Sequence, residues 1–309
     1  MDARDKPGHV APNRKTHAMF MDQLVNAVGT GVMLGCIYSA LALGLAVTFG
    51  LLHIPNIAHP AFVIAGAYVV AVGNSHGFDP ILVAVIAMVP FYVAGLGFYE
   101  FYSRVFERSG SADTMNALTL FFGVSLVVET LLLLKFGTDQ QAVQVAYVGQ
   151  SLKIGLLSLP YRLLVPALIA PVMVALLWLY LHKTHAGIAI RAVAHDERGL
   201  SVSGIDPRWI KRHAFGIAAA TAVIAGAALI IIGPVDPFGG RLMIGRVFAV
   251  VVLAGMGSLP GTIAAGILIG VSESLVAAFA SPSWAPAVAF SILLATLALR
   301  PQGLFGARR

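Results

Sequence analysis

Polar and apolar residues are sorted along this chain into long blocks rather than the short alternations of a soluble fold. Apolar runs occupy Met21–Leu51, Ala58–Gly73, Ile81–Tyr102, Thr114–Phe136, Tyr161–Leu181, His213–Ile232, Val247–Leu259, Thr262–Ala280 and Ala285–Leu299. A helix needs about 20 apolar residues to cross a bilayer, so the longer runs predict full spans and the shorter ones half-helices. The expected fold is an all-α polytopic membrane protein of about eight or nine transmembrane or half-membrane helices. Its longest polar interruption is the basic segment Lys183–Arg212. That segment exceeds a helix-to-helix turn and carries the apolar residues Ile188, Ile190, Val193 and Leu200. The pattern predicts a short amphipathic helix that inserts its stripe into a groove on a soluble partner.

Charge in the loops sets the orientation, because basic loops stay cytoplasmic. Arg104 with Arg108, the segment Lys183–Arg212, and Arg300 with Arg308 and Arg309 are expected inside. Asn74–Pro80, Gly137–Pro160 and Ser281–Trp284 carry little basic charge and are expected outside. The polar tail Met1–Met19, with Arg4, Lys6, Arg14 and Lys15, is expected in the cytoplasm. The run after it is too long for a signal-peptide core of about 7–15 residues, which predicts an uncleaved first span. The crossings then fail to close. An odd number must separate that tail from the outer loop at Asn74–Pro80, yet two runs lie between them. A discontinuous helix around His53–Pro60 would repair the count. Farther on, the outer segment Gly137–Pro160, through its Thr138–Gly149 stretch, alternates polar and apolar residues, as in a short surface hairpin or a plain extended connection. The domain reading is a tail (1–19), one membrane domain (20–300) and a cytoplasmic end (301–309).

Composition narrows the class. Of 309 residues, 58% are hydrophobic and 11% charged, against about 25% charged in soluble domains. A soluble fold is excluded. The net charge of +6 sits in tails and loops, where it reads as a set of topology determinants facing anionic membrane lipid and not as a nucleic-acid surface. Cys36 is the one cysteine, so no disulfide or cysteine metal site forms within the chain. No G-x-x-x-x-G-K-[ST] sequence occurs, and any ATPase must therefore lie on another chain. No nucleophile, base and acid set is visible. His182, His185 and His195 lack the Cys or carboxylate neighbours of a metal site.

Candidate chemistry lies in three places. His53-Ile-Pro-Asn-Ile-Ala-His59-Pro60 removes two backbone donors five residues apart, which interrupts a helix. Asn56 and His59 then either line a translocation pathway at a broken helix or belong to a polar loop at the interface. Gly31 with Gly35, Gly257 with Gly261 and Gly266 with Gly270 stand at spacings that allow close helix crossings. Glu129 and Glu273 lie inside apolar runs, where an unpaired charge is costly. No basic residue sits in an adjacent run to pair with them. They read as interhelical hydrogen-bonding groups or, alternatively, as the proton sites of an ion-coupled secondary transporter.

The chain resembles the membrane permease subunits of branched-chain amino acid ABC importers, LivH-type. The likeness rests on Gly35-Cys-Ile-Tyr-Ser-Ala-Leu-Ala-Leu-Gly-Leu-Ala-Val-Thr-Phe-Gly-Leu-Leu-His-Ile-Pro-Asn-Ile-Ala-His59, on Arg191-Ala-Val-Ala-His-Asp196 followed by Gly204-Ile205-Asp206, on Gly255-Met-Gly-Ser-Leu-Pro-Gly261, and on Arg300-Pro-Gln-Gly-Leu-Phe-Gly306. These motifs stand in the family's order between about Gln23 and Gly306. The resemblance implies a transport subunit without catalytic residues or cofactor of its own, ATP and magnesium being held by two cytoplasmic ATPase partners. It also implies a second homologous permease, an extracytoplasmic solute-binding protein and a small-molecule substrate in a bacterial inner membrane. Arg191, Ala194, Asp196, Glu197, Gly204 and Ile205 would fall in the segment that docks on the ATPase, and Asn56, His59, Glu129 and Glu273 along the pathway. The family commonly reads Asn-Phe-Ala-His-Gly-Glu where this chain has Asn56-Ile-Ala-His59-Pro60-Ala61, and a neutral amide where it has Glu129. Both departures bear on which solute is carried.

Overall fold

The computed structural model describes residues 14–107, 114–145, 149–155, 157–255, 257–300 and 302–306. Its helices are α1 (Arg14–Leu45, continued by a π-helical turn Ala46–Leu51), α2 (His59–Ser75), α3 (Pro80–Tyr102) and α4 (Thr114–Phe136). A hairpin of β1 (Ser151–Ile154) and β2 (Leu157–Pro160) precedes α5 (Tyr161–Lys183). Two short helices, α6 (His185–His195) and α7 (Glu197–Val202), form the polar segment. The chain ends with α8 (Pro207–Ile232), α9 (Gly239–Ala254), α10 (Leu259–Phe279) and α11 (Ala285–Leu299). Helix starts follow from local chemistry. Asp79 caps α3 by accepting from the Ile81 amide at 2.8 Å, Asp206 caps α8 through the Arg208 amide at 2.9 Å, and Ser258 caps α10 through the Gly261 amide at 3.2 Å. Pro80, Pro207 and Pro260 occupy the first turns, where a missing N–H costs nothing.

Among the described residues, seven helical stretches are long and apolar enough to cross a membrane. The two shorter helices, α2 and α9, bring the total to the eight or nine expected. Helices run past Pro90, Pro166 and Pro171 without ending. Within the outer segment Gly137–Pro160 the hairpin is Ser151–Pro160, and the described residues of Thr138–Gly149 form no strand ladder beyond one bridge, Gln141 with Val235. One expectation needs correction. The run Val247–Leu259 is not the helix; α9 starts at Gly239, because Arg241 and Arg246, which end the apolar run in the sequence, are neutralised inside the bundle.

The two ends of the bundle are fixed by contacts. The Ser158 amide of β2 donates to Asn26 Oδ1 near the start of α1 at 2.8 Å, and Gln23 donates to the carbonyl of Ala278 near the end of α10 at 2.7 Å. At the other end Gly50 abuts Gly257, just before α10 begins, and the Leu304 amide donates to Leu253 at 2.8 Å. The start of α1 therefore lies at the hairpin end, opposite α6 and α7. The start of α1 and Lys183–Arg212, both expected on the cytoplasmic face, lie at opposite ends. Most of the polar tail precedes the described residues, as Arg308 and Arg309 follow them. The parity gap closes by this placement together with a return of the chain at the break.

That return splits the fold into two similar halves. In each, a long helix (α1, α8) leads through a proline-bearing break to a half-length helix (α2, α9), a returning helix (α3, α10) and an outer helix (α4, α11). Packing follows the same exchange: α1 lies on α10 as α8 lies on α3, and α2 lies on α3 and α4 as α9 lies on α10 and α11. Because α1 and α8 run in opposite directions, the halves form an inverted repeat, an architecture recurrent in transporters. Glycines close both seams. A Cβ on Gly31 would stand 2.6 Å from the Val271 Cα, and one on Gly95 2.6 Å from the Phe215 carbonyl. Such close approach replaces the hydrophobic driving force that helices lack in lipid.

Gly35→Leu should force α1 from the Ile267 backbone and lower stability by about 1–3 kcal/mol, read as a fall in thermal midpoint in detergent. Gly97→Ala, at an exposed site with open space around it, should stabilise by up to about 1 kcal/mol. Equal effects from the two would refute the seam. Cysteines placed at Met19 and at Ser203 should label from opposite sides of a sealed vesicle.

Candidate functional site: a broken membrane core and a docking segment

The first half-helix begins inside the bundle. His53 turns the chain with a φ of +58°, a region few non-glycine residues adopt. The next residues climb back without regular structure to His59. There α2 starts beside Leu41 and Gly44 of α1 and Ala218 of α8. Ala218 lies about 16 Å along α8 from its first residue at 1.5 Å per residue, well away from either surface. His59 is 1% exposed and its Nε2 meets the Leu41 carbonyl at 3.1 Å. Asn56 is 4% exposed, and its Oδ1 has no hydrogen-bond partner among the described residues. The break is thus interior, as irregular backbone at membrane depth must be.

The second half-helix meets the first. After Pro234 and Pro237, α9 begins at Gly239, and Gly240 is close enough to α2 that a Cβ there would stand 3.3 Å from the Ala61 amide nitrogen. Two helix N-termini, each with unpaired amides and a partial positive charge, therefore adjoin in mid-bundle. Both buried carboxylates converge on α9 as well. Glu129 of α4 takes a bidentate pair from Arg241, at 2.6 and 2.7 Å. Glu273 of α10 accepts from Arg246 at 3.0 Å and from the Tyr38 hydroxyl at 2.7 Å. The expectation that neither acid has a basic partner is overturned: Arg241 and Arg246, five residues apart on α9, supply both.

At the other end, α6 and α7 lie across the bundle. The apolar stripe expected to enter a partner is instead turned inward: Ile190, Val193 and Leu200 are buried against the chain's own helices, and only Ile188 of that set is exposed. Water drives these residues onto the nearest apolar surface, which is the end of the chain's own bundle. The outward face shows Val202, Ile205 and Trp209, at 89%, 40% and 53% exposure. The expected docking residues separate accordingly. Asp196 caps α7 through the Gly199 amide at 2.9 Å, Gly204 turns with a φ of +82°, and Ile205 stays exposed. Arg191 and Ala194 line a cavity of about 910 Å³ between α6 and the loops at Gly50–His53, Gly257–Pro260 and Gln302–Gly306, with Arg191 donating to the Leu181 carbonyl at 3.0 Å.

Glu197 lies at a further junction. Lys211 of α8 donates to Glu197 at 2.8 Å and to Glu107, beyond α3, at 3.2 Å, while Glu107 also accepts from Tyr99 at 2.7 Å and Ser103 at 2.9 Å. Among the described residues, no three His, Cys, Asp or Glu side chains gather as a metal ion would require.

Comparison with known proteins places this architecture. The family described as the branched-chain amino acid transport system permease component matches residues 27–297. The chain belongs to that family. It is 26% identical over 298 residues to the high-affinity branched-chain amino acid transport permease LivH of Salmonella typhimurium, covering 93% of this chain and 96% of the relative. The probable LivH permease of Methanocaldococcus jannaschii is 26% identical, covering 86% and 87%. The BraD permease of Pseudomonas aeruginosa is 25% identical, covering 93% and 96%. The fold is shared with a chain of PsaBC from Streptococcus pneumoniae, solved in complex with a Fab, at a TM-score of 0.51 and 13% identity, covering 93% of this chain and 97% of that one. This permease-family chain is thus a multi-pass membrane transport protein. The comparisons favour that reading and lend nothing to ion-coupled transport.

Within the permease the ion pairs are structural anchors for α9. Arg246→Met leaves the Glu273 carboxylate buried and short of a cation, which should destabilise by about 3–5 kcal/mol. The double change with Glu273→Met should recover most of that loss in a thermal-unfolding cycle. Additive losses would show that the pair is not coupled.

Proposed function

We propose that this chain is the permease subunit of an ATP-binding-cassette importer for branched-chain amino acids or related small solutes, in a bacterial inner membrane. The observation that carries the reading is the match along nearly the whole chain to permeases named for branched-chain amino acid transport. The chain itself does no covalent chemistry. Two ATPase subunits, with their ATP and magnesium, dock from the cytoplasm on α6 and α7, where Val202, Ile205 and Trp209 form the apolar contact and Asp196, Glu197 and Gly204 hold its shape. An extracytoplasmic solute-binding protein delivers substrate at the hairpin end.

Substrate passes by alternating access beside the paired half-helices. Asn56, with an unfilled acceptor at the break, and the N-terminal amides of α2 and α9 supply polar groups at the depth where transporters of inverted-repeat design hold their cargo. His59, Glu129 and Glu273 keep that region in shape. The second, homologous permease covers the face of α9 that carries Arg241 and Leu242. An arginine side chain 55% exposed within the bundle is costly against lipid and tolerated against protein or a water-filled path.

Proteoliposomes holding this chain, its second permease and both ATPases should take up solute from the binding protein only with ATP. Uptake should stop when the ATPases are inactivated and continue under a protonophore. Uptake that survives ATPase inactivation would sink the proposal. Val202→Asp should leave membrane insertion intact and weaken ATPase co-purification about tenfold, the scale of one interface anchor.

A further inference from the structure

We propose that Lys211 is the positioning residue that carries movement of the docking segment into the membrane helices. The inference rests on the importer reading and adds to it the point at which force crosses from α7 to the bundle. Lys211 is 8% exposed although it is a lysine near the cytoplasmic end of a membrane helix, where such side chains normally reach into water. It is turned inward onto two carboxylates from different elements. Glu197 opens α7, and Glu107 closes the π-helical turn after α3. Glu107 is in turn fixed by the Tyr99 hydroxyl and Ser103, so the junction joins α7, α8 and the end of α3 through directional bonds. α7 also seats Leu200 in an apolar site, a contact that is non-directional and permits sliding.

From this junction the path inward is continuous. α3 and α8 are held together at Gly95 and Gly216, where a Cβ on Gly216 would stand 2.6 Å from the Tyr92 ring. A displacement of Lys211 therefore moves the two helices as one body. Farther along, α8 reaches the break itself, with Ala218 beside Gly44, and Gly226 against Val63 and Ala67 of α2. The same helix thus touches the docking segment at one end and the half-helix at the other. Uncoupling by loss of Lys211 should leave both ends intact and sever their communication.

The test uses the complete importer in proteoliposomes and reads solute taken up per ATP hydrolysed. Lys211→Met alone would strand the Glu107 carboxylate, so the informative variant is Lys211→Met with Glu107→Gln, which removes the orphan charge. That double variant should assemble with the ATPases and hydrolyse ATP, while uptake per ATP falls about tenfold, within the usual range of coupling between sites. Lys211→Arg, which can still bridge both acids, should restore most of the ratio. A normal ratio in the double variant overturns the proposal, and so does failure of that variant to assemble, which would make the junction merely structural. Wild-type uptake that needs no ATP would instead sink the importer reading, before any variant is compared.

Discussion

Inside a bilayer no water is available to the peptide group, and this chain breaks two of its helices there. An unsatisfied N–H or C=O in hydrocarbon costs several kcal/mol, so each break must be enclosed by protein. The fold meets that demand by setting the breaks against each other. α2 starts where α1, α8 and α9 converge, and α9 starts against α2. The long helices α1 and α8 are mostly buried as a result, while α3, α4, α5 and α11 expose apolar side chains such as Val89, Leu134, Leu168 and Leu294 to the surroundings. Burial in this protein is thus organised by backbone satisfaction, with side-chain hydrophobicity deciding only which helices face outward.

The same enclosure explains the charges. α9 is short, bounded by breaks and glycines, and could not be held by apolar packing alone against neighbours as greasy as lipid. Two arginines bind it instead, Arg241 to α4 and Arg246 to α10. In low dielectric a bidentate, hydrogen-bonded pair fixes register as well as position. Glu129 and Glu273 therefore belong to the architecture of the half-helix, and Tyr38 ties α1 into the same arrangement.

Much of the fold was legible because a membrane imposes a coarse code. Apolar blocks marked the long helices, and Pro55 with Pro60 marked the first break. The second break was equally signalled by Pro234 and Pro237, but Arg241 and Arg246 cut the apolar run and hid the start of α9. Those arginines carried no pairing signal, since their partners lie 112 and 27 residues away, a separation that periodicity cannot read. The stripe of Ile190, Val193 and Leu200 was visible, yet sequence does not say which apolar surface it meets, and the nearest was the chain's own. The start of α1 misled for a related reason. Basic charge is a statistical guide to orientation, whereas the start of α1 is placed by the Asn26 and Gln23 contacts with β2 and α10.

Rigid glycine seams and two short helices divide the labour of the molecule. At the α1–α10 and α3–α8 crossings glycines admit backbone-to-backbone contact, so neither pair can slide without collision of main-chain atoms. α2 and α9 approach each other less closely; a Cβ on Gly240 would stand 3.3 Å from Ala61, against 2.6 Å at Gly31 and Gly95. A load applied at one end must then be carried by the seamed pairs and released where the backbones stand farther apart, at the junction of the half-helices. Small displacements are amplified only where alternative packings exist. The inverted repeat gives each seamed pair the same relation to its half-helix, so a tilt that opens the junction toward one surface has a counterpart that opens it toward the other. Alternating access follows from that pairing of stiff and loose contacts, with no flexible hinge required within the long helices.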